Sequence, residues 1–153
     1  MTEQQREDIK DVLIADDDSD DFDILSDLIK DLDLNIVVSR AENGDMLMRL
    51  IHNKLPDLLF LDLILPCKNG RDCIREIRSD RKYDSLPIIV YTSLRDMESI
   101  EFCYRWGTNL FVHKPHVYTD IGEIVKRIFS INWKKIRYYP TRAEFVLNPE
   151  SDW

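Results

Sequence analysis

This sequence predicts an α/β fold of (βα)5 form, a five-stranded parallel sheet with helices packed on both faces. Two observations carry the expectation. Short apolar runs alternate with segments whose apolar residues recur at helical spacing, and repeated β–helix–β connections imply a parallel sheet covered on both sides. In addition, polar residues of related chemistry follow four of the runs. Asp16 and Asp17 follow residues 12–15, Asp62 follows 58–61, Thr92 follows 88–91 and Lys114 follows 110–113. In a parallel sheet all five meet at the carboxyl edge, where open α/β sheets bind their ligands.

Residues 11–15 form the first strand, and Ser19 is the expected N-cap of the first helix. Asp20 and Asp21 follow in its first turn, where acids suit the macrodipole. Phe22, Leu25, Leu28, Ile29 and Leu32 recur on one helical face and point to the core. The second strand is expected at 35–39 and the second helix at 43–52, before Pro56. Strand three, 58–62, is apolar throughout until its last residue, as a strand covered on both faces should be. After Pro66 and Gly70 the third helix spans 71–80, and Pro87 introduces the fourth strand. Helix four is read at 95–106, with Gly107 as its left-handed cap. Strand five covers 109–113, and helix five runs from 119 to about 134.

The chain has 153 residues, enough for one domain with its own core. The expected division is a body over residues 9–134 and an aromatic, basic extension over 135–153 that packs on the body or on a partner. The apolar runs are too short to span a bilayer and residues 1–10 are polar, so neither a membrane span nor a signal peptide is expected. Cys67, Cys73 and Cys103 are odd in number and lack metal-ligand spacing, which suits reduced thiols in a cytoplasmic protein. Net charge is −8, with twelve acids against two lysines between residues 7 and 33, and six basic residues with no acid between 126 and 142. Phosphate contacts dominate nucleic-acid affinity, so an acidic chain is not expected to bind nucleic acid generically.

Three carboxylates, a hydroxyl and an ammonium suit a divalent metal and a phosphoryl group. Mg²⁺ takes octahedral oxygen coordination from few carboxylates and several waters. Asp17 and Asp62 are candidates for direct ligands, with Asp16 acting through water. The metal lets three neighbouring carboxylates stay ionised together. Asp62, on the central strand, is the candidate nucleophile that would carry an aspartyl-phosphate. Lys114 would neutralise charge on the phosphoryl oxygens, and Thr92 would hydrogen-bond one of them.

The strings LIADDDSDD, LFLDLILPCKNG, IIVYTS and FVHKP resemble the signature regions of the response-regulator receiver domain of two-component signalling. Asp62 lies 45 residues after Asp17, Thr92 a further 30 and Lys114 a further 22, and Pro66, Gly70 and Pro115 fall where that pattern has them. The resemblance covers roughly residues 9–134. It implies a flavodoxin-like three-layer sandwich with strand order 2-1-3-4-5. It makes Asp62 the acceptor of phosphate from a sensor histidine kinase or phosphotransfer protein. Mg²⁺ would be held by Asp16, Asp17, Asp62 and the backbone carbonyl of Ile64, and the phosphoryl oxygens by Thr92 and Lys114. Phe111 stands at the switch aromatic, coupled to Thr92. Ile64 and Leu94 flank the path of the hydrolytic water, and neither can orient one, which implies a long-lived phosphate. A stand-alone regulator of the phytochrome-associated type is the more detailed likeness.

On that likeness the chain is a phosphorylation switch rather than an enzyme. It would signal through the face of helix four, strand five and helix five, to a downstream protein or a second copy. Two alternatives stand beside it. A receiver-fold scaffold independent of phosphorylation would have no need of all five residues. A haloacid-dehalogenase-like phosphatase needs a second acid two residues after the nucleophile, where this chain has Ile64. Asp57 follows Pro56 at the start of its strand and is read as structural, and Asp18, Asp20, Asp21 and Asp23 as a solvated helix start. His113 and His116 lack a third ligand nearby. Cys67, in the loop after the acceptor strand, is read as an ordinary loop thiol.

Overall fold

A computed structural model describes residues 9–33, 35–133 and 140–149. The polar N-terminal residues, Lys134, Lys135, Arg137, Tyr138, Tyr139 and Trp153 lie outside them, as does the expected boundary at 134–135. The elements run β1 (Asp11–Ala15), α1 (Ser19–Leu32), β2 (Val37–Ala41), α2 (Gly44–Asn53), β3 (Leu58–Leu61), α3 (Gly70–Ser79), a 3₁₀ turn (Arg81–Tyr83) and β4 (Ile88–Thr92). There follow α4 (Met97–Arg105), β5 (Leu110–His113), α5 (Tyr118–Ser130), α6 (Arg142–Phe145) and β6 (Val146–Leu147). Every strand pairing is parallel, in the order β2-β1-β3-β4-β5-β6. Because the order reverses at β1, a crevice opens between the carboxyl ends of β1 and β3.

Alternation along the buried strands builds two cores. Leu13, Leu59, Leu61, Val90 and Phe111 face α2, α3 and α4, meeting Leu47, Ile51, Ile74, Ile77 and Cys103. Val12, Ile14, Phe60, Ile89 and Val112 face α1 and α5, meeting Leu25, Ile29, Ile124 and Ile128. The uniformly apolar β3 and β4 are buried at every position, as strands covered on both faces require.

Four expectations are corrected. The N-cap of α1 is Asp18, not Ser19, since one Asp18 carboxylate oxygen accepts the backbone N–H of both Asp20 and Asp21. A carboxylate there satisfies two otherwise orphaned donors at once. The second strand starts two residues late, because Asp33 ties the Asn35 and Ile36 amides into a turn before the chain reaches β1. Among the described residues the sheet has six strands rather than five. Phe145 is fully buried against Phe111 and Tyr104, and Val146 and Leu147 pair with Phe111 and Val112. Arg142 ties the segment to Glu101 of α4 at 2.6 and 2.7 Å. The extra strand covers the row of unpaired backbone groups that β5 would otherwise expose. Helix α5 also stops earlier than expected, at Ser130, where the buried Trp133 indole N–H donates to the Ile128 carbonyl at 3.0 Å.

Two glycines hold the loop after β3 in place. Gly70 donates its N–H to the Leu63 carbonyl, and a Cβ there would lie 2.5 Å from the Asp62 carbonyl oxygen and 2.6 Å from Leu63 Cα. Gly44, at the start of α2, meets the Lys68 carbonyl in the same way. Both obstacles are backbone, so neither can move without shifting the loop. Gly70→Ala is therefore expected to cost about 2 kcal/mol or more in urea unfolding, at the upper end of overpacking penalties. Gly122→Ala, whose nearest neighbour is a Leu28 methyl at 3.8 Å, should cost nothing measurable. Equal midpoints for the two variants would disprove the close-approach account.

Candidate functional site

The carboxyl edge of the sheet extends the strand ladder by one residue at each functional position. Asp16 donates its backbone N–H to Ala41, Asp62 to Ala15 and Lys114 to Thr92, at 3.0, 3.0 and 2.8 Å. These bonds fix each Cα, and hence the direction of each side chain. The structure brings together the acids that the sequence singled out. Asp16, Asp17 and Asp62 each offer a carboxylate oxygen, all within 4.8 Å of one another. Asp16 and Asp62 are buried, whereas Asp17 is exposed. Two oxygens are oriented by local turns: Asp18 N–H donates to Asp16 Oδ1 and Ile64 N–H to Asp62 Oδ1, both at 3.0 Å. An acid trio of this spacing, with hard oxygen donors and one open side, fits a divalent cation such as Mg²⁺ or Mn²⁺.

Lys114 lies among them. Its ammonium donates to Asp16 Oδ2 at 2.7 Å, Asp62 Oδ2 at 2.8 Å and Asp21 Oδ2 at 2.8 Å, and sits 5.7 Å from the Tyr91 ring centroid. Burial alone would push the lysine pKa down. The hydrogen bonds to Asp16, Asp21 and Asp62 outweigh it and hold the group above its ordinary value. Burial pushes the Asp16 carboxyl up, assisted by the Asp62 charge and opposed by Lys114 and the Asp18 N–H. Buried carboxylates are tolerated here because an ammonium hydrogen-bonded to both offsets part of their charge in place.

Thr92 is fully buried, its Oγ1 accepting the Leu94 N–H at 3.4 Å. Phe111 is likewise fully buried and packs 6.3 Å from Phe145, centroid to centroid. Ile64 is exposed and Leu94 half-buried beside the site. Asp57 sits at the opposite edge, where its Oδ2 accepts the Lys10 and Asp11 amides at 2.9 Å.

Two residues of the site were not legible in sequence. Asp21 was read as a solvated helix start and is instead the third partner of Lys114. Arg40, on the edge strand β2, donates to the carbonyls of Asp16 at 3.1 Å and Asp17 at 2.9 Å while lying over the Phe22 ring. It braces the β1–α1 turn from outside. Asp21 is three residues from the Asp18 cap, one helical turn on, which is the available signal; nothing in the sequence singles out Arg40.

Cys67 adopts φ 67° in the loop after β3 and is exposed, whereas Cys73 and Cys103 are buried. Burial pushes the Cys73 thiol up to about 11 and that of Cys103 to about 12. The thiolate is the reactive form, so iodoacetamide at mildly alkaline pH is expected to add a single label to the native protein, at Cys67. Peptide mapping that finds Cys73 or Cys103 labelled at a comparable rate would contradict this burial.

The model of the response regulator receiver domain matches residues 12–128. The chain is 28% identical to the chemotaxis protein CheY of Pseudomonas aeruginosa over 119 residues, covering 78% of this chain and 95% of that protein. In fold it is similar to the phosphorylated cyanobacterial phytochrome response regulator RcpA, with a TM-score of 0.76, 23% identity and coverage of 84% of this chain and 96% of that one. The Mn²⁺-bound response regulator Rcp1 gives a TM-score of 0.75 at 22% identity, covering 86% and 99%.

Proposed function

This chain belongs to the response regulator receiver domain family, and on that premise we propose that it is a two-component response regulator that takes a phosphoryl group onto Asp62. The observation that carries this reading is the Asp62 carboxylate, buried at the end of the central strand and touching Lys114 within the acid trio. In the transfer step an Asp62 oxygen attacks phosphorus, the P–N bond of a phosphohistidine breaks, and its electron pair returns to the imidazole nitrogen, which takes up a proton. Asp16, Asp17, Asp62 and the Ile64 carbonyl would hold Mg²⁺, which supplies positive charge to the phosphoryl oxygens. Lys114 neutralises the remaining charge, and the Thr92 hydroxyl turns from the Leu94 amide to donate to a phosphoryl oxygen. Preorganised charge of this kind is where phosphoryl transfer gains most.

Thr92 and Phe111 form the switch pair of this reading. Phe111 already points into the core and meets Phe145, so movement at Thr92 would be felt by the C-terminal segment. The receiver body is assigned to residues 9–134 and the extension to 135–153. The α4-β5-α5 face would present the signal to a downstream protein or a second copy, with α6 and β6 forming part of that face. The partners are a sensor histidine kinase or phosphotransfer protein on the input side. No helix among the described residues is long and apolar enough to cross a membrane, and a cytoplasmic location fits the reduced thiols.

Incubation with Mg²⁺ and a small phosphodonor, followed by intact mass spectrometry, is expected to give one phosphate adduct that is absent in Asp62→Asn. No adduct would favour a phosphorylation-independent scaffold, and turnover without accumulation would favour an enzyme. The exposed Ile64 and half-buried Leu94 side chains offer no group to orient water, so the adduct should decay slowly, and faster in Ile64→Asn. A half-life of seconds in the unsubstituted protein would overturn that assignment.

A further inference from the structure

Lys114 has three carboxylate partners, and they are not equivalent. Asp16 and Asp62 also belong to the acid trio, whereas Asp21 does not. Asp21 reaches the ammonium from the first turn of α1, where its backbone N–H is pinned by the Asp18 carboxylate at 3.2 Å. An ammonium has three protons, and here each is given to a different carboxylate. The lysine therefore occupies the same acids that a divalent cation would take. When Asp16 and Asp62 turn to the cation and the phosphoryl group, Asp21 is the partner left to it.

We propose that Asp21 is a positioning residue that acts through Lys114, a proposal resting on the phosphoryl-acceptor reading above. It draws the ammonium away from Asp16 and Asp62 as the cation enters. It then keeps the ammonium in the pocket, beside the Tyr91 ring, ready for the phosphoryl oxygens. Without Asp21, Lys114 closes on the two buried acids and competes with the cation for both. The side chain of Asp21 is 38% exposed, against 2% for Asp16 and 5% for Asp62. It therefore keeps more of its hydration while holding the lysine than either buried acid does.

The test is a double-substitution cycle on the full chain, with Mg²⁺ affinity read by calorimetry and adduct formation by intact mass. Asp21→Asn is expected to weaken Mg²⁺ binding about tenfold, the usual scale for residues that orient metal ligands, and to slow adduct formation. Asp21→Glu should recover part of both effects. In a Lys114→Met background the further change Asp21→Asn should leave Mg²⁺ affinity unaltered, since the group through which Asp21 acts is gone. An equal loss in both backgrounds would mean that Asp21 contributes only its charge, and would overturn the proposal. So would Mg²⁺ affinity and adduct formation in Asp21→Asn that match the unsubstituted protein. If the unsubstituted protein itself neither binds Mg²⁺ nor forms the adduct, the acceptor reading fails, and this proposal with it.

Discussion

The ammonium of Lys114 is the charge on which this site depends. Two buried carboxylates at the carboxyl edge of a parallel sheet would carry a large desolvation cost if left alone. Lys114 meets both within 2.8 Å and is itself tied to Thr92 through the backbone. On the proposed reading, the same ion pairs that make the resting site tolerable are the ones a cation and a phosphoryl group would rearrange. A pocket held by ion pairs can exchange partners, whereas one filled with apolar groups would be more stable and inert. Buried ion pairs commonly have this character, contributing little net stability while fixing a specific arrangement.

The sheet supplies the rigidity that such an exchange needs. β3 and β4 are buried at every position, so their registers cannot slip without exposing apolar side chains to water. Asp62 and Thr92 stand at the ends of those two strands and inherit that precision. Gly44 and Gly70 extend it into the loop after β3, because the backbone there approaches too closely for any side chain. By contrast the acids at the start of α1 rest on a helix cap, on Arg40 and on Lys114. The half of the site on the β1–α1 turn is thus held largely by side chains, and the half on β3 and β4 by the sheet itself.

What the sequence made legible follows the same division. Strand ends with functional residues were readable because apolar runs are long enough to place and a parallel sheet aligns their ends. The spacing from Asp17 through Asp62 and Thr92 to Lys114 then locates the site. Less legible was anything decided by side-chain reach across elements. Asp21 and Asp20 look alike in sequence, yet only Asp21 bonds to Lys114. Arg40 is one charge on an edge strand, and its role appears only when β2 lies beside β1. The Ser19 cap was misplaced because Ser, Asp and Asn share the propensity, and six such residues, Asp16 to Asp21, stand in a row.

The sixth strand was missed for a different reason, and that reason bears on signalling. Two residues, Val146 and Leu147, are below the length at which alternation can be read, and Phe145 counted only as one more aromatic in a short extension. Their placement is set by the sheet, since an uncovered β5 edge is a site for pairing with another chain. Filling that edge with the chain's own residues blocks one route to association and leaves α4 and α5 as the adjoining surfaces. Phe145 lies against Phe111 inside the core and Arg142 against Glu101 on α4. A displacement of Phe111 therefore cannot be confined to β5: the ring it packs against belongs to the segment that covers the edge. The contact between the Phe111 and Phe145 rings thus joins the core beneath β5 to the segment at the rim of the sheet.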